Sequence, residues 1–392
     1  MNANAEFDVV VFGATGFTGQ LVAEYLNKQY GKNSGVTWAM AGRSADKLAE
    51  VRDLIGASSD TPLIVADSSD AASLDDMARR AKCVLTSVGP YSLYGEPVVK
   101  ACVDAGADYV DLCGEVLFMR EMIAKYQTAA TQSGARLVFS CGFDSIPFDL
   151  GVQYLQEEAV KSFGQPMSRV RGRMRSMQGT LSGGTAASGA ATMAAVENDA
   201  SLMAPLMDPF SLADSFQGPA QPAGNQVQED EALGIWVAPF MMAVINTKNI
   251  HRSNALMGHA YGEDFVYDEM MVGGSGEAGK AAAEAAASNQ FMPEGEAPKP
   301  GEGPSKKEQE EGYYDLMVHG TSSDGNTLCV TVTGDKDPGY GSTSKMIAES
   351  AICLVKDLPE VASGFYTPAP ALGATLRNRL IASAGLTFTV DA

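Results

Sequence analysis

The sequence predicts an α/β fold in two parts: a Rossmann-type, doubly wound parallel sheet, followed by a smaller α+β domain with an antiparallel sheet. Short apolar runs alternate with helix-like segments from residue 7 onward, which is typical of β-α-β units. The runs VVVF and LVFS are hydrophobic at every position, as strands are when helices cover both faces of a sheet. After Pro147 the strand-like segments alternate polar and apolar residues, so the parallel sheet should end near that point.

The first part, residues 1–147, contains six predicted strands, enough for a complete doubly wound sheet. In chain order they are FDVVVFG, VTWAMAG, PLIVAD, CVLTSVG, YVDLCG and RLVFSCG. Helix-like segments separate them at about 17–30, 44–55, 70–81, 95–106 and 116–133.

The second part, residues 148–340, begins with the strand-like segment SRVRGRMRSMQ at 168–178. Its period of two places Arg169, Arg171, Arg173 and Arg175 on one face. Next come a small-residue helix at 182–196, a Pro- and Gly-containing loop at 204–230 and an Ala-rich helix at 275–290. An exposed low-complexity loop at 293–312 precedes a hairpin at 313–334 that turns at 323–326.

The last segment, residues 341–392, is expected to be mainly helical, with a helix near 342–357. We expect it to return to the first domain or to bridge the two.

Composition restricts the partners and the location. The formal net charge of −20 would repel phosphate backbones and anionic lipid surfaces, so nucleic acid is not an expected partner. The chain shows no secretory signal and no run of about 18 apolar residues, which favours a cytoplasmic protein without an integral membrane segment. An acidic surface still permits an anionic cofactor, because backbone N–H groups and a few Arg residues can hold phosphate in a cleft.

The metal-binding residue types lie far apart in the sequence. Six cysteines contain no C-x-x-C pair and are expected to be reduced, buried thiols, with a functional Cys113 or Cys141 as the alternative. The three histidines have no zinc-ligand spacing, so no metal site is predicted. Neither a Y-x-x-x-K pair, a G-x-S-x-G elbow nor a P-loop occurs.

The strongest motif is Gly13-Ala14-Thr15-Gly16-Phe17-Thr18-Gly19, which follows strand VVVF and opens a helix. In a dinucleotide site of this kind, Gly13 allows the tight turn and Gly16 lets the backbone approach the pyrophosphate. Gly19 permits close packing of helix on strand. The pyrophosphate would then bind the free N–H groups at the helix N-terminus.

The end of the second strand indicates which cofactor binds. An enzyme that uses NAD usually has Asp or Glu there, to bind the ribose 2′-hydroxyl. This chain has Arg43 and Ser44, which can pair with and hydrogen-bond to a 2′-phosphate, so NADP(H) is predicted. Asp67, after the third strand, would either approach the adenine or cap the next helix.

Residues Ser87-Val88-Gly89-Pro90 end the fourth strand, where the nicotinamide half of such a cofactor binds. Tyr91 and Tyr94 follow as candidate proton donors, with aromatic packing as the alternative. Glu115 and Asp144 also end predicted strands, and each could orient substrate or cap the next helix. Capping is the stronger expectation for Asp144.

Several segments in order resemble the saccharopine dehydrogenase-like oxidoreductases, a family that includes mycobacterial trans-acting enoyl reductases and a mammalian lipid-droplet-associated homologue. The first part carries DVVVFGATGFTG, AGRSADKL, SVGPYSLYGEPVVKAC, GADYVDLCGE and GFDSIPFDLG. The remainder carries SGGTAAS, NALMGHAYG, PGEGPS, DPGY and YTPAPALG. The resemblance covers essentially the whole chain and implies an NADP-type Rossmann domain with a catalytic cleft in the smaller domain.

The resemblance implies an NADPH-dependent reductase of an acyl or lipid-related substrate, with hydride delivered near Gly89 and Pro90. Two alternatives stay open. A saccharopine-type amino-acid dehydrogenase would use the four arginines of 168–178 to bind carboxylates, and a non-enzymatic Rossmann protein would make peripheral contact with lipid. Homodimer formation through the second sheet is a further expectation.

Overall fold

The computed structural model describes residues 5–31, 34–179, 183–291 and 303–391. The strands are β1 (Phe7–Phe12), β2 (Trp38–Gly42), β3 (Leu63–Val65), β4 (Ala81–Thr86), β5 (Asp108–Val110), β6 (Arg136–Val138), β7 (Arg169–Gln178), β8 (Gln228–Asp230), β9 (Ile235–Pro239), β10 (Val266–Gly274), β11 (Tyr313–Thr321), β12 (Thr327–Gly334), β13 (Gly364–Tyr366) and β14 (Leu386–Val390).

Helices separate most of these strands. They are α1 (Phe17–Gln29), α2 (Ala45–Leu54), α3 (Ala71–Arg80), α4 (Tyr91–Ala105), α5 (Val116–Ser133), α6 (Ile146–Phe163), α7 (Gly183–Asn198), α8 (Met203–Met207), α9 (Ala243–Leu256), α10 (Gly276–Phe291), α11 (Lys306–Glu311), α12 (Thr343–Ile352) and α13 (Pro368–Arg379). Among the described residues, none of these helices has both the length and the apolar character needed to span a membrane.

The first sheet is parallel throughout, with strand order β13-β6-β5-β4-β1-β2-β3. Every residue of β1 is buried, because helices cover both faces of the sheet. The six strands predicted for the first part are present, and the α/β fold class is confirmed. Helix α4 begins at Tyr91, four residues before the predicted start at 95, because Pro90 occupies the position that precedes the first turn.

The second sheet has strand order β14-β12-β11-β7-β10-β9-β8. Its neighbours are antiparallel except for β7 and β10, which run parallel, so the sheet is mixed and the expectation of a purely antiparallel sheet was wrong. The reason is topological. Residues 179–265 separate β7 from β10, which is enough chain for a crossover between parallel neighbours.

Helix α6 connects the two parts and packs on the second sheet. A Cβ on Gly151 would lie 3.0 Å from Val332 and 3.3 Å from Val318, so only glycine lets this helix approach β11 and β12 so closely. The predicted hairpin of β11 and β12 is present, with residues 322–326 as its turn.

The C-terminal segment joins both sheets. Strand β13 pairs with β6 in the parallel sheet, and β14 pairs with β12 in the mixed sheet. Helix α12 packs against α1 in between. The segment is mainly helical, as expected, with a helix from Thr343 that continues as a π-helical turn to Asp357; the two short strands were not predicted.

The low-complexity stretch 293–312 is only partly described. Residues 292–302 lie outside the described part of the chain. Residues Lys306–Glu311 form α11 instead of a loop, because Ser305 and Glu308 make a reciprocal capping box at its start.

Candidate functional site

Four loops meet at one edge of the parallel sheet, because β3, β2, β1 and β4 are neighbours and all run in the same direction. The loop after β1 carries Gly13–Gly19, and the loop after β2 carries Arg43 and Ser44. Asp67 follows β3, and Ser87–Pro90 follow β4. Ligands of doubly wound sheets bind outside the carboxyl ends of the strands. The predicted cofactor residues therefore lie together along one edge.

The glycine loop is closely packed. Gly13 has φ +89°, and a Cβ there would lie 2.7 Å from the Val88 side chain. A Cβ on Gly19 would come within 2.1 Å of the Gly13 carbonyl oxygen. The turn and the close approach of α1 to β1 both require glycine, as the motif predicts.

The N-terminus of α1 is open to a ligand. Gly16 is exposed and supplies no side-chain cap, so the N–H groups of Phe17, Thr18 and Gly19 can face an anion. Ala14 is buried, and the Thr15 carbonyl accepts a hydrogen bond from the Gln20 side chain at 3.0 Å. This arrangement is the cradle that a pyrophosphate fits.

The Phe17 side chain lies away from that cradle. Its ring packs edge-on against Tyr340, with ring centroids 4.7 Å apart, and a Cβ on Gly303 would meet it at 2.5 Å. Phe17 thus holds the second part of the chain against the first. Its contribution to a ligand is confined to its backbone N–H.

Arg43 and Ser44 end β2 as predicted. The Arg43 side chain is exposed, and the Ser44 hydroxyl oxygen caps α2 by accepting the Lys47 N–H at 3.3 Å. That bond leaves the hydroxyl proton of Ser44 available for a phosphate oxygen.

Asp67 does not cap α3. Asp70 does so, by accepting the Ala72 N–H at 3.1 Å, and the capping alternative for Asp67 was therefore wrong. Instead, the Asp67 carboxylate accepts the N–H and hydroxyl of Ser69, at 2.9 and 2.8 Å. These hydrogen bonds, with a smaller effect from the Arg43 charge, lower the pKa of Asp67.

Tyr91 and Tyr94 lie in the first turn of α4 with opposite exposures. Tyr91 is buried, and its hydroxyl donates to the Thr86 carbonyl at 3.3 Å and accepts from the Leu112 N–H at 3.0 Å. Its ring packs on Phe118. These contacts favour aromatic packing for Tyr91, whereas Tyr94 is 45% exposed and remains accessible.

Glu115 is a buried cap for α4. Its carboxylate accepts the N–H groups of Tyr91 and Ser92 at 2.7 and 2.9 Å, and the Ser188 hydroxyl of α7 at 2.7 Å. The negative charge also stabilises the positive end of the α4 dipole. Glu115 thereby fixes the loop that holds Gly89 and Pro90.

Asp144 caps no helix, contrary to the expectation. The N-cap of α6 is Ser145, and Asp144 Oδ1 is buried without a hydrogen-bond partner among the described residues. A group of buried polar side chains lies beside Ser145, the neighbour of Asp144, and none of them was predicted from the sequence as a site residue. They are Asn246, Asn249, Tyr267 and Glu269. The signal in the sequence was a pair of asparagines three residues apart on one helix. From a single sequence, such a pair looks the same as the polar, solvent-exposed face of a helix.

The predicted arginine stripe exists, but carboxylates neutralise it. Asp268 pairs with Arg169 and Arg173, Asp230 with Arg171 and Arg173, and Asp315 with Arg175. Three of the four arginines, Arg169, Arg171 and Arg173, line an open depression of about 560 Å³ with Glu229, Asp230 and Glu231. It also lies on the face of β7 opposite to α6, since Gly172 is in register with Val318, which α6 covers.

Comparison with known proteins identifies relatives of the whole chain. A sequence model described as the saccharopine dehydrogenase NADP-binding domain matches residues 9–138. A Mycobacterium tuberculosis protein named as a trans-acting enoyl reductase is 39% identical over 407 aligned positions, which span 96% of each chain. The trans-acting enoyl reductase of Mycobacterium ulcerans is 36% identical over 97% of this chain and 96% of its own.

The solved structures supply the fold. Saccharopine dehydrogenase (L-Glu forming) from Saccharomyces cerevisiae superposes with a TM-score of 0.55 over 98% of this chain and 99% of its own, at 11% identity. The matched NADP-binding domain identifies the cofactor as NADP(H), as the sequence predicted. The chain belongs to the saccharopine dehydrogenase-like family and is an NADP-binding oxidoreductase that acts on a small molecule.

Proposed function

We propose that the enzyme uses NADPH to reduce the carbon–carbon double bond of an acyl thioester. The observation that carries this proposal is the surface beside the loop after β4. Helix α7 lies over that loop, with the Ser188 hydroxyl bonded to Glu115 and 3.9 Å from the position of a Cβ on Gly89. Helix α7 has one charged residue, Glu197, and otherwise offers small uncharged residues that suit an acyl chain. The names of the full-length relatives support the same reaction.

The proposal assigns the cofactor to the loops at the sheet edge. The residues that would hold it are Gly13, Ala14, Thr15, Gly16, Phe17, Thr18, Gly19, Arg43, Ser44, Asp67, Ser87, Val88, Gly89 and Pro90. The N–H groups of α1 bind the pyrophosphate, and Arg43 with Ser44 binds the 2′-phosphate. When bound, the reduced nicotinamide supplies a hydride.

The protein positions and shields the reactants. Glu115 fixes the N–H groups of Tyr91 and Ser92, so the loop beside the nicotinamide half keeps one conformation. Helix α7 is tied to this loop through the hydrogen bond from Ser188 to Glu115. Tyr94 is exposed one turn along α4 and can border the substrate.

The saccharopine-type alternative is less well supported. A substrate with several carboxylates needs cations without partners that converge on the cofactor. Here the arginines of β7 pair with Asp230, Asp268 and Asp315 on the far face of the sheet.

A direct assay tests the proposal. Purified protein is mixed with NADPH and trans-2-enoyl thioesters of N-acetylcysteamine of increasing chain length, and NADPH absorbance is followed. We expect oxidation of NADPH in preference to NADH, together with a saturated thioester product identified by mass spectrometry. Absence of product at every chain length, from protein that binds NADPH, would contradict enoyl reduction.

Assembly and location are part of the proposal. The outer edge of β14 has no neighbouring strand in the described chain, so two such edges can pair and form a homodimer.

All six cysteines are free thiols, which suits a reducing compartment such as the cytoplasm. The exposed side chains of Met193, Met203 and Met207 could contact an acyl chain or lipid. Sedimentation with and without a lipid vesicle tests the assembly and the lipid contact.

A further inference from the structure

A buried polar cluster lies where the loop after β6, helix α9 and strand β10 meet. We call it the acid cluster; its members are Asp144, Ser145, Asn246, Asn249, Tyr267 and Glu269. Glu269 is fully buried and accepts the Tyr267 hydroxyl at 2.8 Å and the Asn246 amide at 2.9 Å. The Asn249 amide donates to the Ser145 hydroxyl at 2.8 Å. These bonds hold the three elements in one arrangement.

The cluster has hydrogen-bonding capacity to spare. The side-chain oxygens of Asn246 and Asn249 are unpartnered, although both residues are completely buried. Asp144 Oδ1 is also buried and unpartnered, while the rest of Asp144 is partly exposed. Within the described parts of the chain these acceptors have no donor, and buried acceptors without donors are costly, so their persistence indicates a partner with N–H or O–H groups.

The acid cluster borders the nicotinamide end of the site. Ile245, next to Asn246 in the chain, lies 3.8 Å from the position of a Cβ on Gly114. Gly114 precedes Glu115, the residue that fixes the loop after β4. Asp144 follows β6, and β6, β5 and β4 are neighbours in the sheet. One sheet edge therefore presents both the cofactor loops and Asp144.

Both carboxyl groups of the cluster favour the protonated form. Burial raises the pKa of Asp144 to about 7. It also raises that of Glu269 to about 8, despite the hydrogen bonds from Asn246 and Tyr267.

The charges around the cluster reinforce this preference. The charges of Asp144 and Asp268 add to the rise at Glu269. Arg173 lies near enough to affect the Tyr267 phenol, but among the described residues no cation pairs with either acid of the cluster.

We propose that Asp144 is the proton donor of the reduction and that Glu269, in the same buried cluster, is a positioning residue for it. This inference rests on the proposed function. Saturation of a conjugated double bond adds a hydride at the β carbon and a proton at the α carbon. The O–H bond of Asp144 breaks as the C–H bond forms. The Asp144 carboxylate, which is partly exposed, then regains its proton from water. The reductant is the reduced nicotinamide.

The first test needs no turnover. Infrared difference spectra of the NADPH-bound protein are recorded from about pH 6 to about pH 9, the range that brackets the two pKa values. We expect protonated carboxyl bands that disappear as the pH rises, with one component missing in Asp144→Asn and another in Glu269→Gln. The control Asp315→Asn removes a carboxylate already paired with Arg175 and should leave these bands unchanged. Fully ionised carboxylates at pH 6 would overturn the proposal.

The second test uses trans-2-hexenoyl N-acetylcysteamine as the probe. Asp144→Asn should bind NADPH as tightly as the unaltered protein, while kcat falls about 100- to 10,000-fold and loses its decline at high pH. Glu269→Gln should keep more activity, with the decline moved along the pH axis. An active wild-type enzyme whose Asp144→Asn variant is equally fast would refute the role of Asp144. Wild-type protein that never reduces the probe contradicts the proposed function instead, and the infrared bands then decide the protonation of the pair separately.

Discussion

Arg43 supplies the positive charge that should distinguish NADPH from NADH. It is exposed at the end of β2, and its guanidinium can form charge-assisted hydrogen bonds with a 2′-phosphate. In Arg43→Ala we expect NADPH affinity to fall about 10- to 100-fold, with little change for NADH, because NADH lacks that phosphate. Titration of nicotinamide fluorescence measures both. The control is Arg120→Ala, an exposed arginine of α5. Equal losses for the two cofactors would contradict the assignment.

Glu115 should act through the loop that it caps. Glu115→Gln removes the charge from a buried group that accepts three hydrogen bonds. We expect a loss of about 1–3 kcal/mol in the free energy of unfolding, and weaker NADPH binding because the loop after β4 is no longer fixed. Urea denaturation and fluorescence titration measure the two effects.

The matched control for Glu115 is Glu96→Gln. Glu96 lies on α4 itself and its ion pair with Lys125 is largely exposed, so less than about 0.5 kcal/mol should be lost. If Glu115→Gln loses the expected free energy of unfolding but still binds NADPH as tightly as the unaltered protein, the cap serves the fold and not the cofactor loop.

At the residue scale, the sequence predicted the groups whose role depends on local backbone. Gly13 and Gly19 act within one turn of the chain, so strand–turn–helix context was sufficient. The capping expectation for Asp144 was wrong because its environment is made by α9 and β10, whose contacting residues lie more than 100 positions away in the chain. Capping is a local rule, and here distant packing decided.

Gly19→Ala should separate α1 from β1, because the new Cβ would lie 2.1 Å from a backbone oxygen that cannot move aside. Overpacking of this kind costs about 1–3 kcal/mol, and the displaced helix should also lose NADPH affinity.

The helix control is Gly189→Ala, an exposed position of α7 with nothing within 4 Å of the new Cβ. There alanine should be neutral or stabilise by up to about 1 kcal/mol. Thermal denaturation with and without NADPH compares the two variants. Equal melting temperatures would show that α1 can shift without cost.

Strands that can be recognised from their own residue pattern were predicted. The direction in which neighbouring strands pair, and strands that are recognisable only beside a neighbour, were not. Strands β1 to β6 of the first sheet follow from short apolar runs. The parallel pair of β7 and β10 could not be read from either strand, since direction is set by the crossover between them. Short strands such as β13, with three residues, carry too little pattern to be recognised before β6 is placed beside them.

For the whole molecule, the two ends of the chain are held together by a buried carboxylate. Asp8 of β1 is 3% exposed and pairs with Lys82 at 2.9 Å and with Lys356, from the C-terminal segment, at 2.7 Å. Burial alone would raise the pKa of Asp8, but the hydrogen bonds from Lys356 and Lys82 lower it overall. The pairing adds stability at neutral pH that disappears as Asp8 takes up a proton.

Replacement of Lys356 by methionine tests this link between the chain ends. A carboxylate whose pKa is lower in the folded state than in the unfolded state stabilises the fold fully at pH values above its unfolded-state pKa of about 3.9. That stabilisation is lost as the pH falls through the folded-state pKa. Lys356→Met removes one of the two lysines that oppose the effect of burial on the pKa of Asp8. The pKa of Asp8 in the folded state should therefore rise, and acid unfolding should begin at a higher pH. At pH 7 we expect a loss of about 1 kcal/mol, a small figure because both lysine side chains reach solvent.

Urea denaturation from about pH 7 down to about pH 3 measures that dependence. The difference between Lys356→Met and the unaltered protein should shrink as the pH falls, because a protonated Asp8 no longer distinguishes a lysine from a methionine. Lys28→Met is the control: Lys28 is exposed, pairs with Glu24 within one helix and should show no such convergence. A difference that stays constant across the whole range would mean that Lys356 stabilises through packing and its bond to the Gly35 carbonyl, and that the charge of Asp8 does not link the two ends.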